Sequence, residues 1–248
     1  MPSFRIVGPG RAGRSLQQAL VSAGWEGLVP IGRGDPLAGA AEGVDVLVIA
    51  TRDPDIASVA AAVRPVPTTT VVHLAGALGT AVLEPHPRRA AVHPLVAFPD
   101  PDTGAARLAA GAWFGVTADG DVLDTASALV GALGGRLVTV DESSRALYHA
   151  AACAAANHMV ALMAHVQELG RGAGVELAAF LDLARANLDN VAERGPAAAL
   201  TGPVARGDWP TVLGHLAAMP EAERRLYRAM AERAAHLAGR NDLPWPHG

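Results

Sequence analysis

Gly8-Pro9-Gly10-Arg11-Ala12-Gly13 is the stretch whose reading decides the fold. It carries glycines in the G-x-G-x-x-G spacing, follows an apolar run at residues 4–7 and opens a helical run at 15–23. In that setting each glycine has a physical task. Gly8 permits a tight turn, Gly10 lets a pyrophosphate approach the backbone, and Gly13 allows the helix to pack closely on the strand. The backbone N–H groups at the start of the helix then face the phosphates. The stretch Gly8, Pro9, Gly10, Arg11, Ala12, Gly13 is therefore a candidate dinucleotide cradle.

Working outward, apolar β-like runs alternate with helical ones. Strands are expected at 4–7, 27–31, 44–50, 70–74, 90–93, 113–116 and 136–140, and helices at 15–23, 56–63 and 122–133. The run Val44-Asp45-Val46-Leu47-Val48-Ile49-Ala50 is almost continuously apolar, as a strand covered on both faces requires. Asp53-Pro54 reads as an N-cap followed by Pro at the first helical position. The alternation predicts a mostly parallel α/β sheet with helices on both faces. From Asp141 onward only helices are expected, at 144–170, 176–194, 209–218 and 220–239, with a loose tail over 241–248. The boundaries read as a dinucleotide-binding domain at 1–141 and a helical substrate and dimerisation domain at 142–248.

Bulk properties narrow the function. The chain has 248 residues, half of them apolar, so it can bury a sizeable core. A net charge of −4 gives no electrostatic footprint for nucleic acid. One cysteine, Cys153, excludes an intramolecular disulfide and fits a reducing, cytoplasmic setting. Neither a signal peptide nor a membrane span is expected, and no metal site. All 20 basic side chains are arginine, which removes every mechanism that needs a lysine amine.

The second expected strand ends at Gly32-Arg33, where an NAD site usually places a carboxylate for the ribose hydroxyl. Arg33 instead suits the 2′-phosphate of NADP. Asp35 lies close enough to reach the ribose after a small shift of the loop, while Arg11 and Arg14 either add charge at the phosphate turn or stand in solvent. Ligands in such sheets bind beyond the carboxyl ends of the strands. That puts Thr51-Arg52-Asp53, His73-Leu74-Ala75-Gly76 and His93-Pro94 at the nicotinamide end. Thr51, Arg52 and His73 are assigned to the cofactor, His93 to acid–base chemistry.

Several segments resemble NAD(P)-dependent reductases that pair a Rossmann domain with an all-helical C-terminal domain of the 6-phosphogluconate dehydrogenase kind, among them β-hydroxyacid dehydrogenases, pyrroline-5-carboxylate reductase and ketopantoate reductase. The chain resembles most a largely uncharacterised bacterial family with a Rossmann-like N-domain and a helical C-domain of unknown function. The resemblance is carried by His73–Gly76, His93-Pro94-Leu95-Val96-Ala97-Phe98, Tyr148-His149-Ala150-Ala151, Asn157, and Thr201-Gly202-Pro203-Val204-Ala205-Arg206-Gly207-Asp208 with Thr211 and His215. It implies a reductase-like, NADP-binding homodimer.

His149, Cys153 and Asn157 recur every fourth residue and lie along one helix face. Asn157 resembles an asparagine that follows the catalytic lysine of β-hydroxyacid dehydrogenases, but the lysine has no counterpart here. His149, Arg145 or a water is left as proton donor, or the chemistry differs. Alternatively the Ala-rich face is a packing seam, Asn157 satisfies buried backbone, and Cys153 is a small filler. Arg206 either binds a substrate carboxylate or pairs with Asp208, and His215 faces site or core. The resulting expectation is an NADP-dependent reductase of a small carbonyl or imine, a ketopantoate-type 2-oxo acid being the narrower version. His93, His149 and Asn157 are its catalytic candidates, and Arg206 and His215 its substrate contacts. The alternative is an NADP-binding sensor or scaffold without catalysis, which Ala75, standing where the resembling family often has a hydroxyl, favours.

Overall fold

The computed structural model describes residues 1–245. A seven-stranded sheet in the order β2-β1-β3-β4-β5-β6-β7 forms the first part. Its strands are β1 (Ser3–Val7), β2 (Glu26–Gly27), β3 (Val46–Ile49), β4 (Thr70–His73), β5 (Arg89–Pro94), β6 (Trp113–Thr117) and β7 (Arg136–Thr139). Every neighbouring pair is parallel except β5 with β6. The period of two along each strand sorts the core into two layers. Ile6, Val46 and Val48 pack on one face with Leu16, Leu20 and Phe114. Val7, Leu47 and Ile49 pack on the other with Ile56 and Leu83. All four residues of β3 and of β4 are buried, as continuous apolar runs require.

Helix α1 (Arg11–Ser22) leaves β1 through the glycine turn. Gly8 adopts φ +90°, which side-chain-bearing residues avoid. At Gly13 a Cβ would come within 2.4 Å of the Gly8 carbonyl oxygen and 3.0 Å of Ile6 Cγ2, so bare Cα lets α1 lie on the sheet.

The second strand is shorter than the sequence suggests. Expected at 27–31, it ends at Gly27, because Pro30 has no N–H to donate to the ladder. The segment still follows β1: Leu28 and Ile31 donate to Phe4 and Ile6, and Gly8 donates to Ile31. Asp53 is not the expected cap. It begins a single tight turn, Asp53–Asp55, ahead of α2 (Ile56–Ala62). A helix not foreseen, α3 (Pro101–Ala109), is capped by Asp100, whose carboxylate accepts from the Thr103 N–H at 2.8 Å. It meets α1 where Gly104 faces Ser15: a Cβ there would be 2.1 Å from Ser15 Oγ. Helix α4 (Gly120–Ala132) covers β5, β6 and β7.

The sheet ends at Thr139, yet the first compact unit runs from Met1 to Ala156 rather than ending at 141. Helix α5 (Arg145–Cys153) stays with it, because Arg145 is buried against the sheet. The long helix expected at 144–170 is interrupted by one wide π-helical turn, Ala154–His158, before α6 (Met159–Gly172).

The second unit begins at Asn157 and is all helical. It holds α6, α7 (Leu177–Arg194), the short α8 (Pro196–Ala199) and α9 (Pro203–Arg206), α10 (Trp209–Ala218) and α11 (Glu221–Leu237). Its core is small: Val204, Val212, Ala231 and Ala235, with Trp209, Tyr227 and Trp245 against them. The expected loose tail is held over 241–245. Asp242 accepts from Trp209 Nε1 and Arg240, and Trp245 donates to Glu232; residues 246–248 lie outside the described residues. Among the described residues no helix is long and apolar enough to cross a membrane.

Replacing Gly13 by Ala forces a methyl group onto backbone. It is expected to destabilise the first unit by about 1–3 kcal/mol, the usual cost of overpacking. Gly10→Ala, with nothing within 4 Å of the added carbon, should leave stability unchanged. Urea unfolding of both variants checks the contrast.

Candidate functional site

The turn and the loops that follow β1, β3, β4 and β5 meet at the carboxyl ends of the strands. Gly8 sits against Ala50 and Thr51, where a Cβ would touch Thr51 Cγ2 at 2.9 Å. Gly10, at the start of α1, has open space around it and no side-chain cap. The protein's own packing therefore does not demand a glycine there, while an approaching ligand would. Arg11, Arg14 and Arg33 are exposed and make no side-chain hydrogen bond or ion pair with the described residues. Asp35, the residue able to compete for a ribose, accepts from the Gly32 N–H at 2.7 Å. Arg52 points into solvent and pairs with Asp55 at 2.9 Å.

Beside the turn lies a cleft of about 230 Å³, lined by Ala12, Ala50, Thr51, Ala75, His93 and Phe98 among others. Behind it α5 places Arg145, Tyr148 and His149 on the loop after β4 and on strands β5 and β6. His93 Nδ1 and the Tyr148 hydroxyl are 2.8 Å apart, with their rings perpendicular. His149 stands edge-on to His93 at 5.6 Å between centroids. Its Nε2 is 3.5 Å from Cys153 Sγ, so Cys153 is a neighbour of the cluster. Two glycines seat these rings. A Cβ on Gly76 would fall 2.2 Å from His149 Nδ1, and one on Gly115 would fall 2.2 Å from the Tyr148 oxygen. Neither glycine has the positive φ that would explain it by backbone geometry.

Arg145 is 1% exposed, and among the described residues no carboxylate pairs with it. Its guanidinium donates to the Ala75 carbonyl at 2.8 Å and to Thr117 Oγ1 at 2.9 Å, and lies 5.8 Å from the centre of the Tyr148 ring. Burial lowers its pKa from the ordinary arginine value, with Tyr148 and Glu142 acting the other way. Thr51 Oγ1, Arg145 Nε and His149 Nδ1 are buried polar atoms with no partner among the described residues. Polar atoms are rarely left so, and these three lie at the strand ends.

His73 departs from its expected role at the cofactor. It is fully buried, with Nε2 bonded to the Gly79 carbonyl at 3.0 Å and Nδ1 accepting from the Ala75 N–H at 3.1 Å. Both nitrogens are occupied by backbone, so His73 shapes the loop that carries Ala75 and Gly76. Glu142 holds the other end, accepting from the Thr80 N–H at 2.7 Å.

The remaining candidates belong to the second unit. Asn157 lies in the π-helical turn, exposed and without a hydrogen bond to the described residues. Arg206 is exposed and forms no ion pair with Asp208. Asp208 caps α10 by accepting from Thr211. Gly207 is left-handed at φ +73°, and a Cβ there would lie 2.1 Å from Arg240 Nη2. The Thr201–Asp208 motif is thus accounted for largely by chain geometry. His215 Nδ1 bonds the Tyr227 hydroxyl at 2.7 Å. The sequence names Arg145 as one possible proton donor and carries Tyr148 only within a resembling segment, without placing either beside His93. The available signal was Gly115 in the middle of a strand, since such a glycine marks close approach by another group.

The family described as Domain of unknown function (DUF2520) matches residues 112–234, just under half of the chain. Among the curated proteins, none matches the sequence. Solved structures are similar over nearly the whole length. Protein TM1727 from Thermotoga maritima is 21% identical, covers 95% of this chain and 98% of its own, and superposes with a TM-score of 0.74. A reductive aminase from Aspergillus terreus, solved in complex with NADPH4, cyclohexanone and allyl amine, is 15% identical, with 97% and 96% coverage and a TM-score of 0.70. Plasmodium falciparum pyrroline carboxylate reductase, solved with NADP bound, is 12% identical, with 96% and 98% coverage and a TM-score of 0.61. At these identities the likeness establishes the fold: a Rossmann-type α/β domain followed by an all-helical part.

Burial, reinforced by His149, Arg145 and His73, pushes the His93 pKa down to about 4. The unfolded ring titrates near its ordinary value of about 6.5. As pH falls between those values the unfolded chain binds a proton that the folded chain refuses. The His93 contribution to stability is therefore complete above about pH 6.5 and declines toward pH 4, then levels off. An NMR titration of the ring is expected to give a midpoint near 4, and His93→Asn is expected to flatten the pH dependence of urea unfolding in that window.

Proposed function

We propose that this chain is an NADP-dependent reductase of a small carbonyl or imine compound. The observation that carries the reading is Gly10, a glycine the protein's packing does not need, at an open helix N-terminus with three unpaired guanidinium groups nearby and a cleft holding His93 beside it. A dinucleotide fits these residues. The backbone from Gly8 to Gly13 would hold its pyrophosphate. Arg33, two residues beyond the Ile31 carbonyl that accepts from Gly8, would read the 2′-phosphate. The orphaned Thr51 hydroxyl and the Ala12–Ala50 wall would meet the nicotinamide end. When bound, the reduced nicotinamide supplies a hydride. The protein's part is to exclude water with an apolar cleft wall and to hold a proton at His93, with His149 and Tyr148 orienting that ring. The reductive aminase and pyrroline carboxylate reductase noted above support a carbonyl or imine substrate. Asn157, a catalytic candidate from the sequence, and Arg206 and His215, its substrate contacts, lie in the second unit and take no part in this reading.

A homodimer is part of the same proposal. Helix α7 runs for 18 residues without one buried side chain. Leu183 is 60% exposed and Leu188 52% exposed, while Val160 on α6 is 71% exposed. An amphipathic helix keeps such a face only when something covers it, and a second copy presents the same apolar face.

Two measurements test these readings. NADPH at a hundred times its Kd should stabilise the protein by about 2.7 kcal/mol in thermal unfolding. NADH should stabilise it less, Gly10→Ala should weaken the shift, and Arg33→Asp should reverse the preference. No shift with either nucleotide would sink the cofactor reading, and an NADPH shift without turnover would identify a sensor. Light scattering should find a particle of twice the 25.3 kDa chain mass, and Leu183→Glu with Leu188→Glu should return it to the monomer. A monomeric wild type would end the dimer proposal.

A further inference from the structure

Resting on that reading, the geometry points to a two-proton relay in which Tyr148 is the proton source and His93 the carrier, with Arg145 as the positioning residue behind them. Nδ1 of His93 is engaged by the Tyr148 hydroxyl. Nε2 makes no hydrogen bond to the described residues and is not an enclosed atom, and His93 lines the cleft. The ring therefore bridges a buried phenol and the open space where a substrate would stand.

His93 alone is a poor acid. Its surroundings keep the imidazole neutral at physiological pH. Giving up the Nε2 proton from a neutral ring would leave an imidazolate, a strongly basic anion, where a phenol leaves a weaker base. The difficulty disappears if a proton reaches Nδ1 as one leaves Nε2. Tyr148 is the group bonded to Nδ1, and its phenol has the proton to give. Each bond is accounted for. The reduced oxygen or nitrogen of the substrate forms a bond to the Nε2 proton, and the N–H bond breaks. Nδ1 forms a bond to the phenolic proton, and the O–H bond breaks. Tyr148 is left as phenolate and the neutral imidazole in its other tautomer. Nδ1 then returns its proton to the phenolate as Nε2 takes one from water, which restores the starting state.

The surroundings suit this direction of transfer. Burial raises the Tyr148 pKa, so the phenol is protonated at rest, while Arg145 and the Gly115 backbone pull the other way. Those two groups are the ones that would stabilise the transient phenolate. Arg145 is fixed on the Ala75 carbonyl and Thr117, beside the Tyr148 ring. The other charged or titratable groups acting on this cluster are His73, His149, Glu142 and Asp53. Gly115 admits the phenol to within reach of His93, because β5 and β6 pair His93 directly opposite Gly115.

The test uses the full chain. In ¹⁵N NMR of the imidazoles, His93 should show Nδ1 as a hydrogen-bonded acceptor and Nε2 protonated, and Tyr148→Phe should move Nδ1 to the free-acceptor shift. With NADPH and a panel of small cyclic imines, aldehydes and 2-oxo acids, Tyr148→Phe should lower kcat about 100-fold, within the usual range for proton transfer. KM and the NADPH thermal shift should be unchanged. The solvent isotope effect should follow a two-proton dependence in the wild type and a one-proton dependence in the variant. Gly115→Ala, which keeps the tyrosine but displaces its oxygen, should repeat the kcat loss. A protonated Nδ1, or wild-type kcat in Tyr148→Phe, overturns the relay while leaving the reductase reading intact. A wild type that binds NADPH and reduces nothing on the panel overturns that reading, and the relay with it.

Discussion

The contact on which the first unit depends is that of the bare Gly13 Cα against the Gly8 carbonyl. Any side chain at Gly13 would lift α1 away from the sheet. With α1 seated, its N-terminus opens at the ends of β1 and β3. These are neighbours in the sheet although the chain visits β2 between them. Strand order reverses at that point, and in open α/β sheets a crevice forms there. The same helix receives α3 on its outer side at Ser15 and Gly104, which covers one face of the sheet. One absent methyl group thus supports the glycine turn, the cleft wall at Ala12 and the packing of the next helix.

Arg145 supplies the second constraint. Burying a guanidinium without a carboxylate is unfavourable, and hydrogen bonds to Ala75 and Thr117 offset only part of the cost. The arrangement does more than hold α5 in place. It ties the loop after β4 to β6 and places a fixed positive charge beside Tyr148 and His93. Together with His73 and Glu142, which grip the same loop from its two ends, it gives the histidine pair a rigid bed. The proposed chemistry would need this kind of support, since small displacements of reacting groups carry large penalties in rate.

Much of the fold was legible in the chain. The glycine spacing, the continuous apolar strands and the change to helices after Asp141 all follow from local chemistry, and each has its counterpart in the structure. The misreadings have local causes too. Pro30 shortened a strand that hydropathy alone would extend, and Asp100-Pro101 announced a helix as plainly as Asp53-Pro54 did. The site was less legible. Loop histidines can be placed at strand ends by counting, but whether their nitrogens are free depends on the backbone that folds over them. His73 and His93 look alike in sequence, one ending β4 and the other near the end of β5. The first has both nitrogens bonded to main chain, and the second keeps one toward the cleft.

The sequence by itself determined the sheet, the glycine turn and the absence of a lysine amine, because these depend on residue type and spacing over a few positions. Tertiary structure alone decided which groups act together. Tyr148 and His93 are 55 residues apart, and Arg145 and Ala75 are 70. Their contacts exist because α5 returns across the ends of the strands and finds glycines at Gly76 and Gly115. Such a juxtaposition is set by how helices pack on a sheet; Gly115 in mid-strand marks that another group comes close, but not which one.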